Sequence, residues 1–347
     1  MTPASEPKGR GAAWTEERRR SDEGRRRLKG GPEARGKQGL KAARRREEST
    51  QFTSYYGRPV IKEPAWGVPD VPGYLFLGGL AGASSMLAAG AEVSGYGELA
   101  RVAKVGALGA ISLSVAALIH DLGRPERFLN MLRVFKPSSP MSVGTWLLTA
   151  YGPVAGAAAV SDVTGILPGA GRVATIGAGL LGPAVATYTA ALICDTSVPG
   201  WHDGHREMPY LFAGSASCAA AGLGLVMLPP AAAAPARTLA TVAAPAELAV
   251  KRLLLRRLGD IAEPYETGRP GRLLRAAELL TVGGLAGAVL GRRNRAVSAL
   301  AGASLLAASA LTRFGVFEAG IATARDPKYT IVPQRRRRDR AADRGMN

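Results

Sequence analysis

MPYLFAGSASCAAAGLGLVMLPPAAAAPA, from Met208 to Ala236, runs without a single Asp, Glu, Lys or Arg. Two further windows of the same kind are Pro137–Ser161 and Val173–Cys194. The hydrocarbon core of a bilayer, about 30 Å thick, takes about 20 apolar residues in a helix, and each window is long enough. A soluble amphipathic helix brings charges back every few residues on its outer face; in these windows none return. The runs are also too unbroken for the alternating pattern of barrel strands, which leaves helices to satisfy the backbone in lipid. The expected fold is therefore an all-α integral membrane protein.

Outward from these windows the pattern predicts about eight transmembrane helices, at roughly 73–95, 101–120, 141–162, 173–194, 208–230, 236–255, 274–291 and 295–316. Two four-helix bundles are one way to arrange them. Glu247 and Glu278 interrupt the sixth and seventh spans. Small residues at four-residue spacing, Gly78/Gly82 and Gly283/Gly287/Gly291, allow close helix contact.

The averages conceal this class. Charged residues make up 21% of the chain and mean hydropathy is +0.04, values that would suit a soluble protein if the charges were evenly spread. They gather at the ends: Met1–Ser49 holds 15 Lys+Arg against 8 acidic residues, and Arg325–Asn347 holds 8 against 3. Residues 1–54 are read as a disordered basic tail, 55–317 as the eight-helix membrane domain, and 318–347 as a basic C-terminal tail. The runs Arg18–Arg20, Arg25–Arg27 and Arg44–Arg46 are read as solvated charge, with no nucleic-acid partner expected. Met1–Gly39 has no apolar h-region, so the first helix is expected to drive insertion.

An even number of spans puts both termini on one side, with the basic loop after the second helix and the Lys251–Arg275 stretch. The positive-inside rule then makes that side cytoplasmic for a multi-pass protein of the cell membrane. The Arg292/Arg293/Arg295 turn pulls the other way.

Redox chemistry within the chain is constrained by what could ligate a metal. A bis-histidine haem needs two facing His, and the three histidines, His120, His202 and His205, fall in loops or at helix ends. Cys194 and Cys218 are too few for an iron–sulfur cluster and read as packing residues. His202-Asp203-Gly204-His205 lacks nearby third and fourth ligands, so no metal is expected there.

The most informative stretch is His120-Asp121-Leu122-Gly123-Arg124-Pro125-Glu126-Arg127-Phe128. Pro125 ends the second helix and suits the first turn of a following one, whose Phe128, Leu129, Leu132 and Phe135 share a face that would lie on the membrane surface. A His-Asp pair at that boundary can hold a proton where a polar headgroup meets apolar walls; a capped loop with an ion pair is the plainer alternative. Glu92, Glu247 and Glu278 lie deeper, where ionisable groups are expensive and functional or paired. They form a candidate proton path, against pairing with Arg101, Lys251 or Arg275, and for Glu278 pairing is favoured.

HDLGRPERF, the Trp66–Gly79 lead-in WGVPDVPGYLFLGG, Tyr188-Thr189, Pro199-Gly200-Trp201 and Pro209-Tyr210-Leu211-Phe212 resemble the NrfD/polysulfide reductase membrane-subunit family, over about Tyr55 to Phe317. The resemblance implies a haem-free, eight-helix subunit that exchanges electrons between a membrane quinone, menaquinone or ubiquinone, and a ferredoxin-like iron–sulfur subunit. That partner in turn serves a molybdopterin catalytic subunit. Tyr188 matches the family's helix-four position and would donate to a quinone carbonyl. His120 and Asp121 would bind the headgroup or relay its proton, with Asp70 beside the same mouth, while Arg124, Glu126 and Arg127 would fix the loop against the iron–sulfur partner. The long basic N-terminal tail departs from the family. Set beside the resemblance, eight helices with buried carboxylates also suit an ion or proton transporter, or a purely structural anchor.

Overall fold

The computed structural model describes residues 60–64, 66–123 and 130–335. Eight helices of 20 or more residues follow one another: α1 Asp70–Val93, α2 Gly97–Leu122, α3 Pro140–Thr164, α4 Pro168–Cys194, α5 Met208–Met227, α6 Ala234–Leu258, α7 Gly268–Leu290 and α8 Arg295–Arg325. No strand occurs among the described residues. Seven of the eight are long and apolar enough to cross a membrane. The other is α6, which carries Arg237, Glu247, Lys251, Arg252, Arg256 and Arg257.

Local chemistry sets the ends. Pro stands in the first turn of α3, α4, α5 and α6, where its missing N–H is no loss. Gly123 and Gly165, at φ 70° and 72°, terminate α2 and α3 in the left-handed region. The Asn294 side chain accepts from the N–H groups of Ala296 and Val297 at 3.0 and 3.2 Å and starts α8. α8 runs to Arg325, further than charge patterning suggested, because Arg313 and Glu318 find partners inside and beside the bundle.

The helices form two four-helix bundles. In α1–α4 each helix packs on the next and α4 returns to α1; α5–α8 repeat the same circuit. The two halves meet chiefly through α1 and α5. Glycine permits the closest crossings: a Cβ on Gly82 would fall 2.5 Å from the Gly182 carbonyl oxygen, and one on Gly222 would fall 2.6 Å from that of Gly302.

Candidate functional site

The site begins with the segment that precedes α1. Trp66 stacks on Trp201, with ring centroids 5.7 Å apart, and lies against Phe317 of α8. Trp201 is fully buried, and its indole N–H donates to the Val316 carbonyl at 2.9 Å. Glu63 adds an ion pair to Arg325 at 2.8 Å. The lead-in is thus fastened to the second bundle before α1 enters the first, by stacked aromatic rings and an ion pair.

This anchoring places Gly67 against the end of α2. Its N–H donates to Oδ1 of Asp121 at 3.1 Å. A Cβ at Gly67 would lie 3.1 Å from that oxygen and 3.7 Å from Oδ2 of Asp70, so the missing side chain lets backbone sit beside both carboxylates. Asp70 opens α1, and its Oδ2 stands 3.0 Å from Nδ1 of His120. The His120 side chain is 70% exposed and that of Asp70 20%. Asp70, His120 and Asp121 therefore share one mouth, open on the imidazole side. An imidazole and carboxylate in contact can take up a proton from one side and release it to the other.

Tyr188 of α4 packs its ring edge-on against Tyr74, at 6.4 Å and 74°. Tyr74 lies one helical turn after Asp70 on α1, so the tyrosine and the mouth meet neighbouring turns of one helix. The Tyr188 hydroxyl is buried and has no hydrogen-bond partner. Tyr151, by contrast, donates to the Ala81 carbonyl at 2.8 Å and contacts Ser85 Oγ at 2.7 Å. Tyr151 thus ties α3 to α1, whereas the Tyr188 hydroxyl is left with its bonding capacity unused. Arg124, Glu126 and Arg127 lie outside the described residues.

The three glutamates have different surroundings. Glu92 pairs with Lys104 at 2.6 Å and Arg172 at 3.3 Å; Lys104 also reaches Asp162 at 2.9 Å, and Asp162 binds Arg101 at 2.8 Å. This network draws on all four helices of the first bundle, at the end of α1 away from the mouth. Glu278 pairs with Lys251 at 3.0 Å. Glu247, only 3% exposed, accepts from Thr312 at 3.1 Å through Oε1, while Oε2 has no partner.

Ser215, Cys218 and Arg313 flank Glu247. Arg313 is fully buried: one terminal nitrogen donates to the Phe212 carbonyl at 2.8 Å, and its guanidinium carbon lies 3.6 Å over the Phe212 ring. Its Nε and Nη1 have no partner. Lys104 and Arg313 are not among the candidates drawn from the sequence; the available signal is a cation set inside the apolar part of α2 and of α8.

His202 and His205 turn their Nδ1 atoms to the backbone carbonyls of Cys194 and His202, at 3.1 and 2.9 Å. No group of three or more His, Cys, Asp or Glu among the described residues is placed to hold a metal ion. A mostly apolar cavity of about 480 Å³, lined by Met86, Leu87, Ser94, Tyr96, Pro235 and Leu239, lies toward the far end of α1 from the mouth.

No curated protein sequence matches the chain significantly. The profile of the family described as "Polysulphide reductase, NrfD" matches residues 60–242, a span that includes the lead-in, α1 to α5, the mouth and Tyr188. With more than half its length matched, this eight-helix chain belongs to the NrfD polysulphide reductase family.

Proposed function

We propose that the chain is the quinone-reactive membrane subunit of a multi-subunit oxidoreductase, passing electrons and protons between a membrane quinone and an iron–sulfur partner that serves a molybdopterin subunit. The observation that carries this reading is the Tyr188 hydroxyl, buried without a partner among the described residues on a ring packed against Tyr74, which follows Asp70 by one turn of α1. An orphaned donor inside apolar walls suits a ligand that brings a carbonyl oxygen, because an unmet buried hydroxyl costs about 1–3 kcal/mol. Bound there, a quinone supplies a two-electron, two-proton couple.

The residues of this chain then have separable tasks. Tyr188 donates to the carbonyl and orients the ring. His120 and Asp70 hold a proton at the mouth and exchange it with water, and Asp121 keeps the lead-in seated through the Gly67 N–H. Among the deeper carboxylates, Glu92 and Glu278 are ion-paired, which leaves Glu247, with its free Oε2, as the favoured proton carrier. The mouth lies on the side of the Lys251–Arg275 stretch, which the positive-inside rule assigns to the cytoplasm of a cell-membrane protein.

The direct test is to purify the complex from its native membrane, extract it for quinone, and add inhibitors that mimic the quinone ring. Quinone should co-purify and the inhibitors should stop turnover. A quinone-free complex whose turnover ignores the inhibitors refutes the reading.

A further inference from the structure

The outer face of the α6–α7 corner carries charge that the described part of the chain does not neutralise. Lys251 and Glu278 meet at 3.0 Å, which fixes the register between the end of α6 and the start of α7. A helix rises about 1.5 Å per residue. One turn beyond that contact, toward the connecting turn, Arg256 of α6 therefore comes level with Arg275 and Arg272 of α7. Arg252, Arg256, Arg272 and Arg275 are all exposed. Among the described residues their one acidic neighbour at ion-pair distance is Glu278, 3.9 Å from Arg252 and already engaged by Lys251.

Beside these cations the same face is apolar. Leu253 is 53% exposed and Leu279 74%, and Val282 continues the surface along α7. Arg256, Arg272 and Arg275 lie on the connecting-turn side and Leu279 and Val282 further along the span, the order of a lipid: phosphate outside, acyl chain inside. Arg offers a planar fork that bonds phosphate oxygens in pairs, and basic clusters at the ends of membrane helices attract anionic lipid.

We propose that this corner binds an anionic phospholipid, with the headgroup phosphate on Arg256, Arg272 and Arg275, Arg252 beside them, and acyl chains along Leu279 and Val282. The patch is continuous with apolar outer surface rather than surrounded by polar residues, which favours a lipid over an acidic protein surface. The bound lipid also accounts for α6, the one long helix too charged to count as a span by composition: its basic last turns reach the headgroup layer, where snorkelling is cheap.

The test is native mass spectrometry of the full chain in mild detergent, titrated with phosphatidylglycerol or phosphatidylcholine of equal chain length. Phosphatidylglycerol adducts should dominate. R256Q/R272Q should cut that preference, by roughly fivefold for each charge removed. R256K/R272K should retain most of it, and R292Q/R293Q, at the other end of α7, should leave it unchanged. Equal adducts of both lipids, or a preference that survives R256Q/R272Q, overturns the proposal. So does displacement of the adducts by inorganic phosphate, which marks a free-phosphate site. Loss of a partner subunit from R256Q/R272Q with lipid preference intact would mark a protein-docking face instead.

Discussion

Nδ1 of His120, in the last turn of α2, stands 3.0 Å from Oδ2 of Asp70, the first residue of α1. The contact joins two helix ends at the mouth and leaves most of the imidazole open to solvent. Positioned proton transfer contributes typically 10²–10⁴-fold to a rate. His120→Ala is expected to lower quinone-linked electron transfer in the assembled complex by about a hundredfold or more. Asp70→Asn should produce a smaller loss, because the amide oxygen can still accept from Nδ1. Membrane insertion should be normal in both. Quinol-driven turnover measured against complex content checks this, and normal turnover in both variants removes the pair from the mechanism.

Tyr188 gives a sharper separation of function from stability. A hydroxyl that is hydrogen-bonded in the fold contributes about 1 kcal/mol when kept, but the Tyr188 hydroxyl has no partner among the described residues. Tyr188→Phe should therefore leave the thermal midpoint of the detergent-solubilised chain unchanged or slightly raised, while turnover with quinone falls. Tyr151→Phe should behave in the opposite sense, since it loses the bond to Ala81, and should destabilise by about 1 kcal/mol. Equal destabilisation by the two substitutions would make Tyr188 another interhelical tie.

The helices were legible because the absence of charge over 20 or more residues has one physical reading in a bilayer. The sequence also singles out Asp70, His120 and Asp121, and the structure brings the three to one place. What the sequence could not display was partnership across helices. Lys104 looks like an interruption of α2 until Glu92 and Asp162 are brought to it. The sequence puts the end of the last span near residue 316, yet α8 runs on to Arg325, with Arg313 lying on Phe212 and Glu318 paired with Arg269 at 3.3 Å. The contrast between Tyr151 and Tyr188 was equally hidden, because a tyrosine's hydrogen bonds depend on carbonyls of other helices.

Lys104 should be a determinant of stability rather than of turnover. Its side chain is 5% exposed and lies between two carboxylates that are themselves about one-fifth exposed. Removing one member of a buried ion pair typically costs about 3–5 kcal/mol, because the other charge is left unmatched. Lys104→Met should approach the lower end of that range, about 3 kcal/mol. Glu92→Gln should cost less, since Asp162 still balances the ammonium. Thermal unfolding in detergent measures both. Folded Glu92→Gln should retain quinone turnover; a loss of turnover with unchanged stability would return Glu92 to the proton path.

Glu247 and Arg313 form the last pair to separate. Both are buried, both keep polar atoms without partners among the described residues, and they come from α6 and α8, with Cys218 and Ser215 of α5 beside Glu247. Arg313→Leu removes the buried cation that acts on Glu247 from beyond ion-pair distance, and Glu247→Gln removes the carboxyl that acts on Arg313. Each single change should destabilise, and the double change should recover part of the loss, with a coupling energy of about 1–3 kcal/mol in a double-mutant cycle. Turnover tells the two roles apart. A proton carrier at Glu247 predicts that Glu247→Gln and the double variant both stay slow, by about tenfold or more, the double variant despite its recovered stability. If the double variant regains turnover along with stability, Glu247 is a structural counter-ion to Arg313, and the protons of the mouth travel by His120 and Asp70 without it.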